Sequence, residues 1–190
     1  MKNLVFTFLL VLFVTFNTNA QQNTSDATIE KNLTGIQLGF IGVWAYNEAR
    51  LTDQLALRTE LGLSLGVSWR YGYDPDYGLA PRIALAPRYY YNLSNRLEKS
   101  KNISKNSGNF ISLPVIYVPD LLVWKTNEQT YIINQMIIAP TWGIRRVYNH
   151  FEFESGIGLG IIHYFPTREV FTGHLTQTYL NIVLSIGYSF

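Results

Sequence analysis

The sequence predicts an all-β chain, an antiparallel up-and-down barrel of about eight strands that crosses a membrane through those strands. Three observations predict it. Apolar residues recur with period two along most of the chain, the spacing that puts them on one face of a strand rather than around a helix. The opposite faces hold mostly glycine, serine and alanine with a few charges. A soluble barrel would show water a face rich in lysine, glutamate and threonine, so the small residues belong in a narrow lumen and the apolar rows outside. Finally, aromatic residues gather at both sets of strand ends, where amphipathic rings sit at headgroup depth.

Bulk properties agree. The 190 residues suit one domain. Charged residues make up 15%, against roughly 25% in soluble globular proteins. The net charge of +2 creates no field suited to nucleic acid. The absence of cysteine rules out a disulfide framework, a thiolate metal site and a lipid anchor on cysteine.

Residues 1–20 read as a secretory signal peptide. Lys2 supplies the positive start, Leu4 to Phe16 an apolar run, and Thr18 and Ala20 the small residues read by a signal peptidase before Gln21. The run is shorter than the ~20 residues a spanning helix needs, and no basic stop-transfer flank follows. Residues 21–34 form a polar lead-in, and residues 35–190 the barrel.

Seven strands can be read. Ile36 to Tyr46 is the first, with Leu38, Phe40 and Trp44 on its apolar face. Leu55 to Trp69 is the sharpest: leucines at 55, 57, 61, 63 and 65 lie opposite Ala56, Arg58, Glu60, Gly62 and Ser64. Leu79 to Tyr91 places Ile83, Leu85 and Tyr89 opposite Arg82, Ala84, Ala86 and Arg88. In Phe110 to Val118 and Tyr131 to Arg145 the alternation is blurred, because both faces carry apolar residues. Phe151 to Phe165 sets Phe151, Phe153, Ile157, Leu159 and Ile161 against Glu152, Glu154 and three glycines. Thr176 to Phe190 closes the series, with Leu180, Ile182, Leu184, Ile186, Tyr188 and Phe190 on one face. Single-chain bacterial barrels have even strand numbers, so an eighth strand is assigned to the weak segment Ala27 to Leu33 or to one of the links.

The links carry turn chemistry: Asn47 to Gln54, Arg70 to Gly78, Asn92 to Asn109, Asp120 to Thr130, Arg146 to His150, and Pro166 to Leu175. The third is the longest and is basic, with a short helix expected around Ser94 to Lys101. Its stretch from Arg96 to Lys105 is read as a solvated loop rather than a site for anionic lipid or peptidoglycan. One aromatic band is expected from Trp69, Tyr71, Tyr73, Tyr77, Trp124, Tyr131, Tyr164 and Phe165. The other is expected from Tyr46, Tyr89, Tyr91, Tyr148, Phe151, Tyr188 and Phe190.

The chain ends Leu184-Ser185-Ile186-Gly187-Tyr188-Ser189-Phe190. This resembles the terminal strand of outer-membrane proteins, whose final phenylalanine and alternating apolar residues are read by the barrel assembly machinery. Tyr188 and Phe190 are the assembly signal on that likeness. The stretch Gly35 to Phe190, with segments such as Arg88 to Asn92 and Lys101 to Phe110, is similar to the small outer-membrane β-barrel families, of the size of OmpA- and OmpX-type barrels. The resemblance implies an address in the outer membrane of a Gram-negative bacterium, lipid as surroundings, and a monomer. It implies no activity.

No catalytic, cofactor or metal residues are assigned. A lipid-acting serine would need a histidine and an acid nearby, and no serine shares a strand face two or four residues from His150, His163 or His174. Metal-ligand clusters are also missing from the sequence. The expected site is instead a plug of lumen charges: Arg58, Glu60, Arg82, Arg88, Arg145, Glu152 and Glu154. All seven lie on inward faces, and in so narrow a barrel they must pair. Arg145, whose strand alternates least, is the one expected at the rim if any is. The leading function is a structural or surface-interaction role without catalysis. A porin-like narrow conduit for small hydrophobic molecules is the alternative, and a lipid-modifying enzyme comes third.

Overall fold

The computed structural model describes residues 27–68, 74–128, 130–166 and 175–190. The leader 1–20, residues 21–26, and Trp69, Tyr71, Tyr73 and His174 lie outside the described residues. The fold is a closed antiparallel β-barrel of eight staves, with almost no helix. Four staves are single strands in chain order: β1 (Asn32–Gly39), β2 (Gly42–Arg50), β3 (Leu55–Ser68) and β4 (Asp76–Tyr90). The fifth is β5 (Asn109–Ser112) continued by β6 (Val115–Val118). After the two-residue β7 (Trp124–Lys125), the sixth is β8 (Asn134–Ile138) continued by β9 (Thr141–Tyr148). The seventh is β10 (Phe151–Phe165) and the eighth is β11 (Thr176–Ser189), which pairs with β1 and shuts the ring.

The missing strand lies neither in Ala27 to Leu33 nor in a link. Ile36 to Tyr46 is a hairpin, β1 and β2, turning at Phe40 and Ile41 between Gly39 and Gly42. The turn hides in the sequence because its two central residues are apolar. Its consequence is a change of phase. The hairpin pairs Leu38 with Val43 and Gln37 with Trp44, and cross-strand partners share a face. Trp44 and Tyr46 therefore point into the lumen, 8% and 4% exposed. Trp44 leaves the predicted apolar row, and Tyr46 leaves the predicted aromatic band.

The two blurred strands are broken by prolines. Leu113–Pro114 interrupts the fifth stave and Ala139–Pro140 the sixth, since proline has no N–H for the ladder. Backbone bonds across both gaps keep the wall continuous: Leu113 N–H to the Pro87 carbonyl at 3.1 Å and Ala139 N–H to the Pro114 carbonyl at 3.2 Å. The alternation holds through the breaks, and the blur has a simple origin. Above the charged layer the inward residues are themselves apolar, as at Ile116, Val118 and Ile137.

The lower end holds both barrel termini. β1 starts three residues before Gly35, and the lead-in from Ala27 packs beneath the barrel rather than trailing from it. Ile29, Ala56, Tyr90, Leu93 and Phe110 form a buried cluster there, joined by Ala27 and Ile103. Leu93 opens the helix α1 (Leu93–Glu98), which overlaps the region expected to be helical, Ser94 to Lys101. The rest of the long basic connection folds back across the lower mouth. Asn106 is fully buried; its Oδ1 accepts the Glu30 N–H at 2.7 Å, and Nδ2 donates to Glu48 Oε2 at 3.1 Å. Lys105 donates to the Ser189 carbonyl at 2.7 Å. Residues 106–108 are thus a packed plug, while most of Arg96 to Lys105 is exposed, as a solvated loop is. Beside it, the link Arg146 to His150 shrinks to a turn at Asn149 and His150, with Asn149 in the left-handed region (φ 55°) that asparagine tolerates.

Candidate functional site: a charged lumen beneath an apolar cavity

The inward positions of the lower half are filled by one polar network. β3 and β4 contribute Arg58, Glu60, Arg82 and Arg88; β9 contributes Arg145; β10 contributes Glu152 and Glu154. All seven lumen charges expected from the sequence are brought together. Glu154 is the hub: Oε1 accepts from Arg88 at 2.8 Å, Arg145 at 3.1 Å and Arg58 at 3.3 Å, and Oε2 from Arg88 at 3.1 Å. Glu60 joins Arg58 Nε (2.7 Å) to Arg82 (2.8 Å). Glu152 accepts from the Tyr46 hydroxyl at 2.6 Å and from Arg145. Arg145 is not a rim charge, since it is wholly buried.

Sequence reasoning missed several members. Glu48 is fully buried and accepts from Tyr90 (2.9 Å), Asn106 and Arg145 (3.3 Å), with Arg88 at 3.4 Å. Its charge matters to the balance: four arginines face three glutamates without it and four with it. The signal that finds it is the hairpin at 40–41, because with that turn in place residues 44, 46 and 48 all point inward. Gln37 accepts from Arg58 at 2.5 Å and from the Trp44 indole at 3.0 Å. Arg58 also lies over the Tyr46 ring, 3.8 Å from its centroid. No periodicity signals Asn106, which reaches the network from a loop.

Glycines make room for the rings in so narrow a lumen. A Cβ on Gly143 would stand 2.5 Å from the Phe110 ring, and one on Gly39 would stand 2.1 Å from Trp44. Each ring lies against a backbone that has no side chain to meet it, an arrangement known to stabilise sheet glycines.

Above the charges lies a cavity of about 410 Å³. Gln37, Glu60, Arg82, Arg88 and Glu154 form its floor, and Ile116, Val118, Ile137, Ile162 and Val183 belong to its walls. Beyond β6 the fifth stave continues along β4: β7 pairs with Gly78 and Leu79, and Leu122 lies against the inward side of Gly78.

The outer wall carries Leu61, Ile83, Leu85, Ile157, Leu159, Leu180, Ile182 and Ile186, all exposed. Below them Tyr89, Tyr91, Tyr148, Phe151, Tyr188 and Phe190 ring the lower end, with Trp142 donating to the Tyr91 hydroxyl at 2.7 Å. Tyr77, Trp124, Tyr131 and Phe165 are exposed toward the upper end. His150 stacks on Tyr188 and meets Lys105 Nζ at 2.7 Å and the Ser189 carbonyl at 2.8 Å. His163 lies 2.9 Å from the Thr176 hydroxyl. Among the described residues no three histidine, aspartate or glutamate side chains are grouped to hold a metal ion.

Compared with known proteins, the chain matches no family model, no curated protein and no solved structure. The barrel itself is small and of eight staves, a fold compatible with outer-membrane barrels.

Proposed function

We propose that this chain is an integral barrel of a bacterial outer membrane, exported on the leader 1–20 and inserted as a monomer by the barrel assembly machinery. Its role is structural or surface-interacting, with no catalytic step and no cofactor. One observation carries the reading: the outer wall is a continuous apolar band between aromatic rings, while the charges of the staves turn inward. The outward exception, Arg146, sits at the lower rim and donates to the Gly108 carbonyl at 3.0 Å and to Asn109 at 2.8 Å. An exposed apolar band of this extent is foreign to a soluble monomer, whose patches stay near a few hundred Å². In lipid, a closed barrel also satisfies the backbone groups that hydrocarbon cannot.

The network makes the barrel closed to ions, because its buried charges fill the cross-section and balance in sign. Two experiments test this. Fractionation should place the chain in outer membranes that resist carbonate extraction, with faster gel migration before heating; a chain released into the soluble fraction overturns the proposal. Planar bilayers holding the purified protein should show no stable conductance steps, and large steady steps would refute the sealed lumen.

One observation favours a second reading, a path for small hydrophobic molecules: the apolar cavity above the charges. Since the network seals the lumen beneath it, the cavity is a chamber rather than a through-channel.

A further inference from the structure

The wall of the barrel is not equally tall all round. β1 ends at Gly39 and β2 starts at Gly42, whereas their neighbours run on. Gly39 pairs with Ser185 of β11, and Gly42 with Ser64 of β3. The last ties of the hairpin are Phe40 N–H to the Leu184 carbonyl (3.2 Å) and the Ile41 carbonyl to Leu65 N–H (2.8 Å). Above them β11 continues to Thr176 and β3 to Ser68, and among the described residues no strand pairs with either edge. At the hairpin tip the two neighbours stand about 14 Å apart, the width of three strand spacings. The wall therefore has a notch.

The notch leads into the cavity. Leu65, Ile182 and Leu184 belong to the outer row, yet they line the same cavity as the inward Ile137 and Val183, with Phe40 and Ile41 at its lip. Leu184 is four residues from Tyr188 of the lower ring, so in a bilayer the notch opens within the hydrocarbon. Unpaired backbone at that depth is tolerated only where protein covers it or it lines a cavity rather than lipid.

The floor asks for a specific chemistry. Three of its side chains and Ser112 beside them, each about nine-tenths buried or more, keep a polar atom with no protein partner: Gln37 Nε2, Arg82 Nε, Arg88 Nε and Ser112 Oγ. Three of these are pure donors. The walls above them are largely apolar, with Ser64, Gln135 and Asn181 as polar members, and about 410 Å³ falls among sites that enclose a small ligand, roughly 300–1,000 Å³.

We propose that the barrel binds a single-chain lipid that enters sideways through the notch between β3 and β11. Its acceptor-bearing polar end, a carboxylate or an ester carbonyl, lies against Gln37, Arg82 and Arg88, and its alkyl chain fills the cavity and leaves through the notch. This rests on the membrane reading above, and the two fail separately: a chain that does not insert refutes that reading, whereas one that inserts but does not bind refutes this one.

The test uses the mature protein in lipid nanodiscs, with insertion checked by heat-sensitive gel migration. Radiolabelled hexadecanoate and its methyl ester are titrated in turn. At least one should bind saturably at one per barrel, and which of them does identifies the polar end. Ile116→Trp, which fills the cavity, should weaken binding at least tenfold. Arg82→Lys, which keeps a charge beside Glu60 but removes Nε, should weaken binding several-fold, and it stands in if Ile116→Trp fails to insert. Absence of saturable binding of both probes, binding unchanged in every variant that inserts, or equal competition by hexadecane overturns the proposal.

Discussion

Glu154→Gln tests the network at its hub. The change keeps the shape of the side chain and removes its charge. Three arginines converge on the carboxylate at 2.8–3.3 Å, and the amide nitrogen of glutamine would point a donor at donors. Four buried arginines would then face three glutamates. Breaking a buried ion pair from one side costs roughly 3–5 kcal/mol, mostly because the partner stays charged and unpaired. A domain of this size shifts its melting point by about 2–4 °C per kcal/mol, so a fall of about 6–20 °C is expected. The assay is the temperature at which the folded gel band is lost in detergent, or the far-UV melt. Glu128→Gln is the control: Glu128 meets Lys125 at 3.0 Å with its side chain 94% exposed, and such pairs contribute little. Adding Arg88→Met to Glu154→Gln removes a charge of each sign and should recover part of the loss. If Glu154→Gln melts with the wild type, or no lower than Glu128→Gln, the argument from paired lumen charge is wrong.

Three more outcomes are expected. Gly143→Val should cost about 1–3 kcal/mol, the usual range for overpacking, because its side chain displaces the Phe110 ring from under Arg88, now 4.4 Å from the ring centroid; a melting curve checks it. Intact-mass analysis of the membrane-inserted protein should give a chain beginning at Gln21, and a mass retaining Met1 to Ala20 would refute the leader. Deleting Phe190 should lower the inserted amount more than the synthesised amount, since the Phe190 N–H bonds the Thr34 carbonyl (2.9 Å) at the closing seam; equal, protease-resistant insertion would refute that role.

What was legible in the sequence followed the quality of the alternation. β3, β4, β10 and β11 alternate cleanly, so their inward charges could be named, and Arg58, Arg82, Arg88, Glu152 and Glu154 all lie where the phase puts them. β1 and β2 read as one strand because the central residues of the turn, Phe40 and Ile41, are apolar, and its glycines stand only at the ends, Gly39 and Gly42. Read as one strand, the segment also puts Trp44 and Tyr46 on the wrong face and Glu48 in a link, since phase is inherited along a strand. The prolines at 114 and 140 could be seen, but that the wall continues past them depends on neighbours far away in sequence. The plug beneath the barrel was not legible at all: Ile29, Leu93 and Asn106 come from segments with no period, and only the closed ring brings them together.

The seam between β1 and β11 also sets when things can happen. Residues 35–39 pair with residues 185–189, so this pairing waits for nearly the whole chain, while hairpins such as β3–β4 need only their own residues. In free energy the wait is mild, because the entropy of closing a loop rises by only about 0.6 kcal/mol for each doubling of its length. In time it is not, since distant pairings are found late. The contacts that bolt the lower mouth, Lys105 to Ser189 across 84 residues and Asn106 to Glu30 across 76, sit over that seam, and the first of them needs β11 in place. Until the ring shuts, β1 and β11 each present a bare edge able to pair with another copy. The half-closed sheet is therefore the species most exposed to aggregation, and its lifetime is set by how quickly the first stave finds the last.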